Sequence, residues 1–184
     1  MMTRDEALAF LGKHLKTPNL LKHSLACEAV MRALARFFGE DEEEWALAGL
    51  LHDLDYEETK DAPTLHGILS AQYLEEVGFS PCLVDAVRSH NELTGFAPNG
   101  KMAVALFAVD PTSGFIIACV LVHRDRSLQA LQVPFLLSRF KEKGFARGAS
   151  REQIKKCSLL RLSVEEFLTI ALQAMQHIAP QLEL

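Results

Sequence analysis

Apolar residues recur along this chain mostly at three- and four-residue spacing. That spacing places them on one side of an α-helix, whereas a half-buried strand requires alternation of apolar and polar residues. Runs of alternating Val, Ile and Thr bounded by hairpin turns are missing. With 184 residues, 49% of them hydrophobic, the chain has enough apolar side chains for a buried core. The sequence therefore predicts an all-α fold, a compact single-domain helical bundle over residues 1–184.

Start and stop signals divide the chain into predicted helices. Thr17 is a suitable N-cap, and Gly39 ends the helix that follows it. Ser150 and Ser163 each begin a capping box, a serine followed three residues later by Gln or Glu. We predict helices over residues 4–15, 18–38, about 40–53, 63–77, 80–90, 101–109 and 111–124, with two more that begin after residues 150 and 163.

The stretch over residues 102–122 is apolar enough to suggest a membrane span. Asp110, Pro111 and the small or polar residues after them interrupt it, and each remaining apolar run is far shorter than the roughly 20 residues that cross a bilayer. The sequence therefore predicts two core helices with Asp110 at the break between them, and no membrane partner.

Charge and cysteine content narrow the function classes. The net charge is −5, and an acidic chain is not expected to bind nucleic acid through overall basicity, although a local basic patch would escape this argument. The four cysteines are scattered and form no CxxC pair, which is typical of a reducing compartment. The first residues lack the apolar core of a signal peptide. We therefore expect a cytoplasmic protein.

His52 and Asp53 interrupt the most apolar part of a predicted helix, in the segment AGLLHDLDYE. Burial of a charge without a partner is costly, so these side chains need compensation. Adjacent helical residues point about 100° apart, which argues against a pairing of the two with each other. Imidazole and carboxylate groups are ordinary ligands of divalent metals. A metal ion is one candidate partner, and a histidine that merely caps the helix is the structural alternative.

Four more polar residues lie among apolar neighbours in other predicted helices or, for the last of them, at the break between two: His23, His66, His90 and Asp110. Each has a structural explanation of its own, as a core histidine, a helix-face histidine, a helix C-terminal histidine and an N-cap before proline. Together with the His-Asp pair, they have the composition of a metal site that several helices of a bundle assemble.

The order of these residues resembles the HD-domain superfamily of metal-dependent phosphohydrolases. Its pattern is a histidine, an adjacent His-Asp pair and a distal aspartate on an all-α core, and the two intervening histidines resemble the branch that binds two metals. The ligand pattern occupies about residues 18–125, with a C-terminal helical extension over about 126–184. Five segments are similar to a group of small bacterial HD proteins of about this length: LLKHSLACEAVMRALA, AGLLHDLDYE, SHNE, AVDPTSGFIIA and RFKEKGFARGASREQIKKC.

The resemblance implies a bundle of the HD-domain type with two metal positions. The first would be held by His23, His52, Asp53 and Asp110, and the second by Asp53, His66 and His90. It further implies a hydrolase in which His52 and Asp53 are catalytic and one or two divalent ions (Mn, Fe, Co, Ni or Zn) activate a hydroxide. The bond cleaved would be a phosphoester or phosphoanhydride of a small phosphorylated or nucleotide-like substrate. Two cations lower the pKa of a bridging water and neutralise phosphoryl charge.

The chain also departs from better-defined members of the superfamily. Nucleotidase members carry a glutamate four positions after the histidine of the pair, where this chain has Tyr56, and the GYP of cyclic-dinucleotide phosphodiesterases is missing. Two other functions stay open: a mixed-valent di-iron oxygenase on the same scaffold, and a regulatory module that binds a metal and a nucleotide without catalysis. Activity with Mn²⁺ without oxygen would exclude the oxygenase, and nucleotide binding without turnover would indicate the module.

Three other predictions concern charged residues outside the ligand pattern. Residues 141–156 are rich in Lys and Arg, which often marks a solvated face. The alternative is a set of substrate phosphate ligands, Lys143, Arg147 and Arg151, next to a helix N-terminus. Asp55 and Glu92 are predicted either to orient ligand histidines or to be surface acids.

Overall fold

The computed structural model describes residues 2–184. All regular secondary structure in this range is helical, which confirms the all-α prediction. The α-helices are α1 (Arg4–His14), α2 (Pro18–Phe38), α3 (Glu42–Leu51), α4 (Tyr56–Thr59), α5 (Ile68–Glu76), α6 (Pro81–Arg88), α7 (Lys101–Val122), α8 (Val133–Phe140), α9 (Arg151–Lys155), α10 (Val164–His177) and α11 (Ala179–Leu182). Short 3-10 helices lie at Glu92–Thr94, Leu128–Ala130 and Lys156–Leu160.

Two capping boxes were predicted, and the structure contains one of them in full. The Ser163 hydroxyl accepts the amide of Glu166, and the Glu166 carboxylate accepts the amide of Ser163. Ser150 accepts the amide of Gln153 in the same way, but the Gln153 side chain donates to the backbone carbonyl of His90, at 3.4 Å. The second box is therefore only half formed, because its glutamine bridges to another part of the chain.

Residues 101–122 form one continuous helix, which corrects the prediction of two helices with a break at Asp110. Pro111 lies inside α7 and removes one helical hydrogen bond. Most side chains of α7 are buried, and α2, α3, α6, α9 and α10 pack against it. This tertiary packing outweighs the local preference of proline. In length and hydropathy (mean 2.0) α7 would suit a membrane span, yet 72% of that stretch is buried inside the protein.

The helix predicted over residues 63–77 begins later, because residues before α5 form turns. These turns end at Gly67, whose φ of +91° is a left-handed conformation that favours glycine. The Gly67 amide donates to Asp55 Oδ2 at 2.8 Å, which draws the chain away from a helical path. His66 therefore lies in the turn before α5 rather than on a helix face.

The helices α2 and α3 pack together very closely. A Cβ atom at Gly49 of α3 would lie only 2.6 Å from the backbone carbonyl oxygen of Cys27 on α2. Glycine at this position therefore lets the two backbones approach each other. The close approach brings the C-terminal end of α3 against the middle of α2, which are the two segments that carry His52 and His23.

Candidate metal centre

The six predicted metal ligands converge on one region of the structure. Two of them lie within helices, and the other four lie at helix ends or in turns: His23 is on α2, Asp110 on α7, His52 and Asp53 directly after α3, His66 before α5, and His90 two residues after α6. The prediction of helical positions is therefore wrong for the four residues His52, Asp53, His66 and His90. The residues do come from separate segments of the chain, as predicted.

Local backbone geometry orients the imidazoles of His52 and His90. Each ring places Nδ1 against the carbonyl oxygen three residues earlier, at 2.8 Å from Gly49 O and 2.6 Å from Val87 O. Both carbonyls belong to the last turn of a helix, where carbonyls often accept from side chains. A carbonyl only accepts, so Nδ1 carries the proton, and in the neutral ring Nε2 presents a lone pair to the cluster.

The first group of donor atoms surrounds His23 Nε2. This atom lies 3.2 Å from His52 Nε2, 3.2 Å from Asp110 Oδ1 and 3.4 Å from Asp53 Oδ2. His52 Nε2 lies 3.8 Å from Asp110 Oδ1. Two atoms that each bind one ion at about 2.1 Å are roughly 3 to 3.5 Å apart, so these donor atoms have the spacing of ligands to a common metal.

The pair His52 and Asp53 is closer than helical geometry suggested. α3 ends at Leu51, His52 keeps helical backbone angles (φ −63°, ψ −34°), and turns follow it. His52 Nε2 lies 3.3 Å from Asp53 Oδ1. The argument that the two side chains cannot approach each other is wrong, and both reach the same group of donor atoms.

The second group consists of Asp53, His66 and His90. Asp53 Oδ1 lies 3.3 Å from His66 Nε2 and 3.5 Å from His90 Nε2, and the two imidazole nitrogens are 3.2 Å apart. Asp53 belongs to both groups, with Oδ2 nearest His23 and Oδ1 nearest the other three histidines. The arrangement therefore matches two overlapping donor sets that share one carboxylate.

Asp53 Oδ1 shows that a divalent cation fits this cluster. The atom is buried and has no hydrogen-bond partner among residues 2–184. Around it stand imidazole nitrogens whose other ring nitrogen already donates elsewhere. Neutral imidazoles would thus direct lone pairs at a carboxylate oxygen, which is repulsive unless a cation or protons lie between them. Histidine and carboxylate donors suit a divalent transition metal.

The charge of the cluster confirms that it attracts cations. Burial lowers the pKa of His52 and His66, but nearby carboxylates, chiefly Asp53, outweigh burial and raise these pKa values to about 9 and about 10. Burial raises the pKa of the Asp53 and Asp110 carboxyls, yet neighbouring imidazoles hold both well below the usual range. The two carboxylates therefore retain positive charge beside them, as protons when no metal is bound.

Asp55 lies where it orients His66. Its Oδ1 accepts from His66 Nδ1 at 2.8 Å, and its Oδ2 accepts the amides of Gly67 and Ser70 at 2.8 and 3.0 Å. Asp55 is buried. Burial raises the pKa of its carboxyl, but the hydrogen bond to His66 and the backbone contacts outweigh burial and lower that pKa below its usual value. This geometry suits the orienting role that the sequence proposed for Asp55.

Sequence reasoning identified Cys27 as a core-like neighbour of His23 but missed Ser113. Ser113 Oγ lies 2.7 Å from His23 Nδ1 and donates to the Asp110 carbonyl at 3.0 Å, so it accepts from the imidazole. Cys27 Sγ lies 3.8 Å from His23 Nε2. Helical spacing relates both residues to predicted ligands. Cys27 follows His23 by four residues, and Ser113 follows Asp110 by three, so each lies on the same helix face as a ligand.

The other predicted site residues lie apart from this cluster. Glu92 is exposed and bonds to none of the six residues in the part of the chain that the structure describes, so it does not orient a histidine. Arg151 donates to the carbonyls of Ala149, Phe145 and Ala146 at 2.7 to 3.0 Å. These bonds commit its guanidinium to the loop before α9 and do not support phosphate binding.

Lys143 and Arg147 are exposed in that same loop. Neither forms an ion pair with another residue in the range 2–184, so their basic groups face solvent. Phosphate binding by these two residues stays a prediction.

Comparison with known proteins gives one family and one set of relatives. Residues 20–110 match the family model described as HD domain, and this range contains all six residues of the cluster. The chain is 30% identical over 96 residues to Ribonuclease Y of Oleidesulfovibrio alaskensis and 31% identical over 96 residues to Ribonuclease Y of Geobacter sulfurreducens. Each alignment covers 52% of this chain and 18% of the relative, so the chain spans less than a fifth of the curated relatives it matches.

Proposed function

Because residues 20–110 of this chain form an HD domain, we propose that the protein is a metal-dependent phosphohydrolase that cleaves a phosphoester or phosphoanhydride bond in a nucleotide-like substrate. Proteins with an HD domain are generally metal-dependent phosphohydrolases. The observation that carries the proposal is the convergence of four imidazoles and two carboxylates around Asp53 Oδ1, a buried acceptor without a partner among residues 2–184.

In this proposal the cluster residues hold two metal ions, and their neighbours orient them. His23, His52, Asp53 and Asp110 would hold one divalent ion, and Asp53, His66 and His90 a second. Bound ions of this kind acidify water and neutralise charge on a phosphoryl group. The protein itself orients the imidazoles. A carbonyl, a carboxylate or a hydroxyl holds Nδ1 of each ring, which leaves Nε2 for the metal.

Exposure indicates the side from which substrate reaches the cluster. The side chains of His52 and His90 are fully buried, whereas those of Asp110, His23 and His66 are 29%, 18% and 16% exposed. The phosphoryl group would therefore approach along the edge formed by these last three residues. The buried histidines form the floor and exclude bulk water from the opposite side.

RNA cleavage is a second candidate function. The curated relatives are named Ribonuclease Y, and a nuclease of that name acts on RNA. The expectation that this chain has no nucleic-acid partner rests on its net charge of −5 alone. A short RNA therefore belongs in any test of substrates.

Metal content tests the proposal first. We expect reconstituted wild-type protein to bind two divalent ions, His66→Ala to lose one, and His52→Ala to lose the ion held with His23. His177→Ala is the matched control, because His177 is exposed on α10 and lies outside the cluster. Full metal stoichiometry in His66→Ala would show that the second site does not exist.

Phosphate release tests the chemistry. Wild-type protein with Mn²⁺ and without oxygen is assayed on phosphomonoesters, phosphodiesters, nucleoside triphosphates and a short RNA. Release that His52→Ala abolishes and His177→Ala retains supports the hydrolase and excludes the oxygenase. Oxygen-dependent turnover alone would overturn the hydrolase in favour of the oxygenase, and nucleotide binding without turnover by any of Mn²⁺, Fe²⁺, Co²⁺ or Ni²⁺ would indicate the regulatory module.

A further inference from the structure

A cavity of about 530 Å³ lies between α4 and the segment that joins α1 to α2. We call it the Tyr56 pocket, and it is lined by Lys16, Thr17, Leu20, Tyr56, Glu57 and Lys60. Its volume is in the range that small-molecule sites occupy. None of its lining residues belongs to the six residues of the cluster, so it is a separate space.

One ring contact and one helical spacing place the Tyr56 pocket next to the partly exposed residues of the cluster. The ring of Tyr56 meets the ring of His66 edge to face, with 5.2 Å between centroids. Leu20 precedes His23 on α2 by three residues, which is less than one helical turn. The pocket therefore adjoins His23 and His66, two of the residues along which the phosphoryl group would approach.

We propose that the Tyr56 pocket binds the base of a nucleoside phosphate whose phosphate lies at the metal cluster. This inference rests on the proposed function and adds to it the part of the substrate that is recognised. Two ligands contain this unit of base, sugar and phosphate: a free nucleotide and the end of an RNA.

The chemistry of the lining supports a base over a simple sugar phosphate. Tyr56 is 43% exposed, so a large part of its ring is free to contact a ligand, and Leu20 adds apolar surface. Aromatic side chains stack on bases and stabilise binding by about 1–3 kcal/mol per base. Lys16 and Lys60 supply two cations against the single carboxylate of Glu57, which favours a ligand whose base is joined to an anionic phosphate.

The walls of the pocket are fixed before a ligand binds. Glu57 Oε1 accepts the backbone amides of Lys16 and Thr17 at 3.1 and 2.8 Å. These bonds tie the turn between α1 and α2 to α4, so the two sides of the pocket keep their separation. A preformed pocket costs less ordering entropy on binding than a flexible one.

Binding rather than turnover tests this inference. The ligands are the non-hydrolysable 5′-phosphonate analogue of AMP, inorganic phosphate as the probe without a base, and a 5′-phosphorylated RNA trinucleotide. Titration calorimetry with Mn²⁺-loaded protein gives Kd for wild type, Tyr56→Ala and Tyr56→Phe. We expect Tyr56→Ala to raise the Kd of the AMP analogue roughly 5- to 150-fold, because a stacking contact contributes about 1–3 kcal/mol.

Three comparisons make the result specific. Tyr56→Phe keeps the ring and should bind the analogue like wild type, while inorganic phosphate should bind wild type and Tyr56→Ala equally. Lys60→Ala should weaken the analogue less than Tyr56→Ala does, since Lys60 adds charge and no stacking surface. A trinucleotide that binds more tightly than the AMP analogue, and that still depends on Tyr56, would assign the pocket to an RNA end rather than a free nucleotide.

The inference and the proposed function fail in different ways. An unchanged Kd for the AMP analogue in Tyr56→Ala, or equal weakening of the analogue and of inorganic phosphate, would overturn the base pocket even if the protein hydrolyses nucleotides. Base-dependent binding that Tyr56→Ala weakens would stand even if no substrate were hydrolysed. The metal content of Tyr56→Ala should equal that of wild type, which excludes an effect through His66.

Discussion

Replacement of Asp55 by asparagine tests how the second donor group is held. Asp55 presents Oδ1 to His66 Nδ1 and Oδ2 to the amides of Gly67 and Ser70, so both of its oxygens face donors. Asparagine has one acceptor oxygen and one NH₂ group. In either orientation of the amide, the NH₂ group would face another donor, either His66 Nδ1 or the two backbone amides.

The more favourable orientation keeps the amide oxygen on the two backbone amides and turns NH₂ toward His66. His66 then accepts at Nδ1 and carries its proton at Nε2, the atom that faces Asp53 and His90. Loss of a hydrogen bond to a charged group costs about 1.5–3 kcal/mol. A loss of that size corresponds to roughly 10- to 100-fold in metal affinity, as found when residues that support metal ligands are changed.

We therefore expect Asp55→Asn to weaken one of two Mn²⁺ binding events roughly 10- to 100-fold and to leave the other unchanged. Competition with a fluorescent chelator measures both affinities. Asp61→Asn is the matched control, since Asp61 is exposed and forms no ion pair in the described part of the chain. In a His66→Ala background, Asp55→Asn should have no further effect on metal binding. Equal weakening of both events, or of neither, would refute the reasoning.

Three further changes have defined outcomes. The pKa values of His52 and His66, about 9 and about 10, exceed the ordinary value, so in EDTA the folded protein binds more protons than the unfolded chain above pH 6.5. In urea unfolding with EDTA, the contribution of His52 and His66 to stability should be complete near pH 6 and decline toward pH 10, and equal stability at pH 6 and 9 would contradict this. Gly49→Ala should destabilise the fold by roughly 1–3 kcal/mol, because the new Cβ would lie 2.6 Å from the Cys27 carbonyl oxygen. Gly12→Ala, with nothing within 4 Å of its Cβ, should instead stabilise α1 by about 0.5–1 kcal/mol in the same urea assay. Arg151→Lys should speed trypsin cleavage in the loop before α9 without loss of metal, because lysine does not reach three carbonyls at once; an unchanged cleavage rate would mean that other contacts hold the loop.

The sequence was sufficient for the fold class and for the membership of the cluster. Helical spacing and cap residues mark α2 and α10, and histidines or carboxylates among apolar residues are rare enough that His23 and the His52–Asp53 pair stand out. The prediction failed where tertiary contacts override local signals. Pro111 is a strong break by itself, yet it lies inside α7 because helices pack against that helix along its length.

Long-range hydrogen bonds explain the remaining differences. The turn that carries His66 exists because Gly67 and Ser70 donate to Asp55, and no spacing rule links residues that far apart. The role of Ser113 likewise depends on the contact between α7 and α2, which the sequence does not display. Arg151 was predicted to face solvent or, alternatively, a substrate phosphate, but its guanidinium donates to carbonyls in its own loop, which the sequence does not display.

Asp53 makes the two donor groups thermodynamically dependent on each other, because it is the one residue that both contain. A cation in either group interacts with the negative charge of Asp53. The second cation is therefore attracted less strongly, and the first cation repels it. Binding should therefore be anticooperative. At metal concentrations between the two dissociation constants, most molecules would carry one ion, with few empty and few filled twice, so the two ions would bind in separate steps as metal concentration rises.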